Sequence, residues 1–242
     1  MTENQSNITD AKADLSNTNE GLSTGVFITF EGGEGVGKST HVKILAARLE
    51  AAGLDVEVMR EPGGTKISEL IRGILLDEAN DDLVDRAELL LYQAARAQLV
   101  IERIMPALAR GAVVLCDRYF DSTTAYQGFG RKMPLDLVEQ ANLLGSAGLV
   151  PMRTILLIDN WELALERARD LGSDRLESEN LEFHRRVELG FDDVFRHNQD
   201  RIVKVQLQEQ IWQTAELVFK AVKDLFGDKV SDVFVVPEEL LV

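Results

Sequence analysis

Only one cysteine, Cys116, stands among 242 residues. One thiol closes no disulfide within the chain and builds no multi-cysteine metal site, and its apolar flanks, Val113 to Leu115, mark it as core packing rather than a nucleophile. Positive charge is scarce: 26 Lys and Arg face 41 Asp and Glu, a formal net charge of −15. A protein held broadly on nucleic acid needs a net basic face, so no nucleic-acid partner is expected; a local basic pocket for a small anion stays open. Long apolar runs are missing too, none approaching the roughly 20 residues that span a bilayer, so no membrane partner is expected. The three histidines, His41, His184 and His197, have no Cys or His at metal-ligand spacing and read as surface or helix residues.

What is present is a 45% hydrophobic chain, enough for a sizeable core in one large domain. Residues 1–24 are almost wholly polar, with neither a basic n-region nor an apolar h-region. They read as a disordered tail, and a cytoplasmic protein is expected. From Gly25 short β-branched runs alternate with long helical patterns. Strands are expected at 26–30, 54–59, 112–116, 154–158 and 202–205. Helices are expected at 40–52, 67–76, 86–110, 135–144, 161–169, 181–199 and 210–226. This alternation implies an α/β domain over 25–226, a parallel sheet with helices on both faces. Residues 227–242 form a second tail with a short apolar piece at 233–236. Trp161 and Trp212 read as packing residues, and Asp81 and Asp82 as a solvated pair.

Gly32-Gly33-Glu34-Gly35-Val36-Gly37-Lys38-Ser39 fits GxxxxGK[ST], with a strand before it and a helix after it. Glycines let the backbone curl so that successive N–H groups point at phosphate oxygens. The helix N-terminus adds its dipole. Lys38 supplies a cation for the β- and γ-phosphates, the Ser39 hydroxyl can ligate Mg²⁺, and Thr40 completes the nucleotide-facing set. A dinucleotide fingerprint fits worse, because no third glycine falls at the required spacing. Asp117 follows a buried strand at its carboxyl end, where α/β sheets bind ligands, and can hold the Mg²⁺ shell or serve as a helix N-cap.

Three further motifs decide among phosphate-loop proteins. Arg60-Glu61-Pro62-Gly63-Gly64-Thr65 ends the second strand. Tyr92-Gln93-Ala94-Ala95-Arg96 lies in the long helix, and Asp117-Arg118-Tyr119 leads into Ser122-Thr123-Thr124-Ala125-Tyr126-Gln127-Gly128. With the phosphate loop, this ordered set resembles the bacterial thymidylate kinases over about residues 25–226. The resemblance implies a three-layer P-loop kinase fold on a five-stranded parallel sheet, with a short lid. It implies transfer of the ATP γ-phosphoryl to dTMP, with Mg²⁺, by a homodimer.

The resemblance also assigns roles. Arg60, Arg72 and Arg118 match basic positions near the acceptor phosphate. Tyr92 matches the position that stacks on thymine, where Phe is common. Arg96, one helical turn on, can donate to the thymine O4. Thr123 and Gln127 match base contacts, Tyr126 the neighbour of the deoxyribose 2′ carbon, and Glu34 the acidic position facing the sugar. The lid falls at about 166–178. Family members that lack a cation at the variable loop positions, as this chain does at Gly33, Glu34, Gly35 and Val36, place a catalytic arginine in the lid. Arg167 and Arg169 are the candidates, and Leu171 stands where some relatives carry a further arginine. The rival readings are a kinase for another nucleoside monophosphate or a deoxynucleoside, and an ATPase or switch without an acceptor. No NKxD for reading guanine occurs.

Overall fold

A computed structural model of the protein describes residues 25–170, 174–227 and 230. Five strands form one sheet: β1 (Val26–Glu31), β2 (Val56–Arg60), β3 (Val113–Asp117), β4 (Arg153–Ile158) and β5 (Ile202–Gln206). The order is β2-β3-β1-β4-β5, and every pairing is parallel. Helices cover it: α1 (Lys38–Ala51), α2 (Lys66–Leu76), α3 (Asp85–Leu99), α4 (Met105–Ala109), α5 (Phe120–Thr123), α6 (Leu135–Gly145), α7 (Trp161–Asp170), α8 (Leu181–His197) and α9 (Ile211–Lys220). The α/β class and the five-stranded parallel sheet expected from the sequence are both present.

Strand alternation sorts the core into two faces. Phe27, Val114 and Cys116 pack with Leu99, Val100 and Ile104 on one side. Ile28, Phe30 and Leu115 pack with Leu45, Leu49 and Phe219 on the other. A further cluster joins Tyr126, Phe183, Val187, Phe191 and Ile202 beneath α8. β1 lies centrally, so the loops leaving β1, β2 and β3 open together at the carboxyl edge of the sheet, where such sheets bind ligands.

Several details differ from the sequence reading. The long helix after residue 85 is not uniform: α3 widens into a π-helical turn, Val100–Ile104, before α4. Pro106, in the first turn of α4, lacks an N–H and crowds the carbonyl four residues back, which accounts for the widening. α5 and the π-helical Thr124–Gly130 were not expected as helical at all. Trp212 is 52% exposed and so is not a packing residue. His41 and His184 lie on helices as expected, but both are buried. Asp81 and Asp82 are exposed, as read. The tail at 1–24 and the apolar piece at 233–236 lie outside the described residues. Among the described residues, no helix is long and apolar enough to cross a membrane.

Candidate active site

The phosphate loop leaves β1 and enters α1 at Lys38. Val36 is buried in the core, so its neighbours face the cleft with backbone rather than side chain. Lys38 is buried, and its Nζ donates to the carbonyls of Gly33 (2.5 Å) and Gly32 (3.2 Å). Burial and the nearby Arg118 charge lower its pKa, against the pull of Glu34, Asp117 and Glu31. These loop carbonyls stand where an anion's oxygens would compete for the ammonium. Ser39 donates its hydroxyl to Asp117 Oδ2 across the cleft. That pair of hard oxygen ligands, from two different loops, suits a hard divalent cation. Among the described residues, no group of three or more His, Cys, Asp or Glu could hold a metal alone. A cation between Ser39 and Asp117 therefore needs water and phosphate oxygens to complete its shell.

β3 delivers Asp117, Arg118 and Tyr119 to the same edge. Arg118 takes a left-handed backbone (φ 68), uncommon for a residue with a Cβ. The turn is held from below: Tyr119 N donates to Glu31 Oε1 at 2.8 Å, and Ser122 Oγ to Glu31 Oε2 at 2.5 Å. Burial and neighbouring Asp121 push Glu31 up to about 8 despite these donors. The turn aims the Arg118 guanidinium at Glu34 Oε1 (2.6 Å), Ser122 Oγ (3.1 Å), Gly32 O (3.2 Å) and Tyr126 Oη (3.3 Å). Tyr126 also donates to Glu34 Oε1 at 2.6 Å. Burial works against the Glu34 charge, but Arg118, Lys38 and Tyr126 outweigh it and hold the carboxyl at about 2.

One cleft of about 510 Å³ runs on from the phosphate loop. Among the residues expected from the sequence, Glu34, Gly35, Gly37, Lys38, Ser39, Thr40, Asp117 and Arg118 line one end; Arg60, Arg72, Tyr92, Arg96, Thr123, Tyr126 and Gln127 line the rest, with Arg167. Gly32, Gly33, Val36 and Arg169 do not line it. Arg60 is bound to both carboxylate oxygens of Glu69 at 3.0 Å, and Arg72 donates to Pro62 O at 3.0 Å. Arg96 is 2% exposed, and its donors are spoken for. Its Nε meets Glu61 Oε2 at 2.8 Å, Nη2 meets the same oxygen at 2.7 Å and Thr123 Oγ1 at 3.0 Å. Its Nη1 meets Gln93 Oε1 at 3.1 Å and Asn142 Oδ1 at 3.2 Å. Tyr92 stands one turn before it, as the spacing requires.

In the lid region, Arg167 pairs with Asp159 while lining the cleft. Arg169 is turned away, its guanidinium on the carbonyls of Glu177 and Glu179. Leu171 lies outside the described residues. Sequence reasoning missed Glu61, Asp174, Leu176 and Glu177, all at the cleft wall. Glu61 lay in plain view inside the REPGGT motif. Glu177 is pushed up to about 7 by burial and by Asp174 and Glu34; nothing local in the sequence marks it.

A family model described as thymidylate kinase matches residues 30–218. A thymidylate kinase of Synechococcus sp. (strain JA-3-3Ab) is 47% identical over 198 residues, covering 82% of this chain and 95% of that protein. One from Trichlorobacter lovleyi is 45% identical over 204 residues, covering 81% and 96%. The crystal structure of thymidylate kinase from Ehrlichia chaffeensis superposes with a TM-score of 0.67 at 32% identity, covering 82% of this chain and 98% of that one.

Proposed function

The chain belongs to the thymidylate kinase family, and on that premise we infer that it transfers the γ-phosphoryl group of ATP to dTMP, giving dTDP and ADP for nucleotide biosynthesis. The observation that carries the reading is that one cleft is lined both by the phosphate loop and by Tyr92, Arg96, Thr123 and Gln127. A donor site alone would serve an ATPase. A donor site continuous with a second pocket serves transfer between two bound phosphates.

Such a transfer needs positioning and charge neutralisation more than a base, because the acceptor is already an anionic phosphate oxygen. Loop N–H groups and Lys38 cradle the donor phosphates. Mg²⁺ held by Ser39 and Asp117 through water would neutralise charge on the donor phosphates. Arg60, Arg72 and Arg118 hold the acceptor phosphate; Arg118 reaches it by exchanging a contact with Glu34 or Gly32 O. Glu34 and Tyr126 border the sugar, and Tyr92, Arg96, Thr123 and Gln127 the base. Arg167, at the cleft, is the better placed of the two lid arginines. Arg169 fixes the return segment through the Glu177 and Glu179 carbonyls.

A cytoplasmic homodimer is part of the same reading. Leu90 on α3 (65% exposed) and Leu144 on α6 (80% exposed) support a two-fold helical interface, and a monomer by sedimentation would overturn it.

The reading is tested by following ADP formation with Mg-ATP and a panel of nucleoside monophosphates. Stimulation by dTMP with dTDP as product, abolished in Lys38→Ala, is expected. Turnover that ignores every acceptor would mean an ATPase. Stimulation by another monophosphate would retire the base-pocket roles and keep those of Lys38 and Asp117.

A further inference from the structure

Beneath the pocket that Gln127 lines lies a carboxylate the cleft itself does not include. Glu88, on α3, is 0% exposed. Four donors converge on it from three side chains. Gln127 Nε2 reaches Oε1 at 2.8 Å, and Arg131 Nε the same oxygen at 3.2 Å. Arg131 Nη2 reaches Oε2 at 3.0 Å, and Arg175 Nη2 at 2.6 Å. Burial opposes the charge, but Arg131, Gln127 and Arg175 outweigh it and hold Glu88 below the usual carboxylate range. Glu88 is therefore ionised and offers only acceptors.

That settles which end of the Gln127 amide faces which way. An amide can be turned over with little change in shape, and its network decides. With an acceptor-only partner, the NH₂ must point to Glu88. The carbonyl Oε1 is left for the cleft, and among the described residues no donor reaches it.

We propose that Glu88 is a positioning residue that fixes the polarity of the Gln127 amide, so that the base end of the cleft presents a hydrogen-bond acceptor and selects pyrimidines whose ring nitrogen carries N–H. Thymine and uracil present an imide N3–H there. Cytosine presents a lone pair, and two facing acceptors leave both unsatisfied. The inference rests on the kinase reading above and adds to it the element that makes the pocket discriminate.

Glu88→Gln tests it. Arg131 and Arg175 can only donate, and their two shorter contacts fall on Oε2 (3.0 and 2.6 Å), so the new carbonyl sits there and the longer Arg131 Nε contact to the Oε1 position (3.2 Å) is given up. The new NH₂ then faces Gln127, which must turn its own carbonyl toward it and present NH₂ to the cleft.

The measurement is kcat/KM for dTMP and for dCMP in the wild type, Glu88→Gln, Gln127→Leu and the double variant. The dTMP-to-dCMP ratio should fall roughly ten- to a hundredfold in Glu88→Gln, the range of one mispaired buried polar contact. It should fall in Gln127→Leu as well. In the Gln127→Leu background, Glu88→Gln should change the ratio no further. An unchanged ratio in either single variant overturns the proposal, as does a Glu88→Gln effect that persists once Gln127 is gone. Should Glu88→Gln fail to fold, Glu88→Asp replaces it: it keeps the charge for Arg131 and Arg175 but draws the carboxylate back from Gln127, and an unchanged ratio there overturns the proposal. No dTMP turnover in the wild type would instead overturn the kinase reading.

Discussion

Gly35 offers a paired test of how the phosphate loop is clamped. Its backbone is left-handed (φ +67), and a Cβ built on it would lie 1.8 Å from the Ala164 carbonyl oxygen and 2.7 Å from that carbonyl carbon. Ala164 is a fully buried residue of α7, so the obstacle is helix backbone rather than a side chain that can swing aside. Gly53 has much the same backbone (φ +81) with nothing within 4 Å of its would-be Cβ. Alanine at either position costs about 1 kcal/mol for the left-handed backbone. At Gly53 that is the whole effect, about 2–4 °C in Tm for a domain of this size. At Gly35 the loop must also separate from α7, and overpacking of this kind adds about 1–3 kcal/mol. Gly35→Ala should therefore lie roughly 4–16 °C below wild type. If the loop shifts to relieve the clash, its N–H groups leave their positions, and ATP binding falls instead. Thermal melts and ATP titration of both variants read the two routes. Gly35→Ala matching Gly53→Ala in both Tm and ATP affinity would refute the reasoning.

Two further outcomes follow from buried charge. Asp121 is buried and receives both terminal nitrogens of Arg201, at 2.7 and 2.8 Å. Asp121→Ala strands that guanidinium, and urea titration should show a loss of about 3–5 kcal/mol; a loss near zero would mean Arg201 reaches solvent. Glu188, on α8, presses on the phosphate loop, its Oε1 2.5 Å from where a Cβ on Gly33 would sit. Burial and Asp192 push its carboxyl from 4.5 up to about 7, against Lys38, Lys204 and Arg118. A raised carboxyl pKa means the native state holds the proton more tightly than the unfolded chain. The stability it contributes is full below pH 4.5 and fades as pH rises to about 7. Glu188→Gln removes that loss, so its stability relative to wild type should rise by on the order of 1–2 kcal/mol across this window, after discounting for solvent. Parallel Tm-against-pH curves would show that Glu188 is solvated.

What the sequence made legible is what is local. β1, the phosphate loop and α1 are contiguous, and each is signalled by its own composition. Tyr92 and Arg96 share a face because a helix repeats every 3.6 residues. The same periodicity could not show that Glu61, 35 positions earlier, would claim the Arg96 guanidinium. Glu88 reads as an ordinary charge near the start of a helix, yet Arg175 reaches it across 87 positions. Arg169 reads like Arg167, two residues away, and only the return of 177–179 separates their roles. Glu61 and Glu88 are charges whose partners are distant in sequence, and burial forced those partnerships, because an unpaired buried charge is costly. This bears on binding. Lys38 rests on loop carbonyls, Arg118 on Glu34 and Arg60 on Glu69, so the cations of the cleft are already satisfied in the described state. A phosphate does not meet bare cations there. It exchanges one set of partners for another, and affinity is the difference between the two. Neutralising Glu34 or Glu69 would therefore change phosphate binding without touching any phosphate ligand.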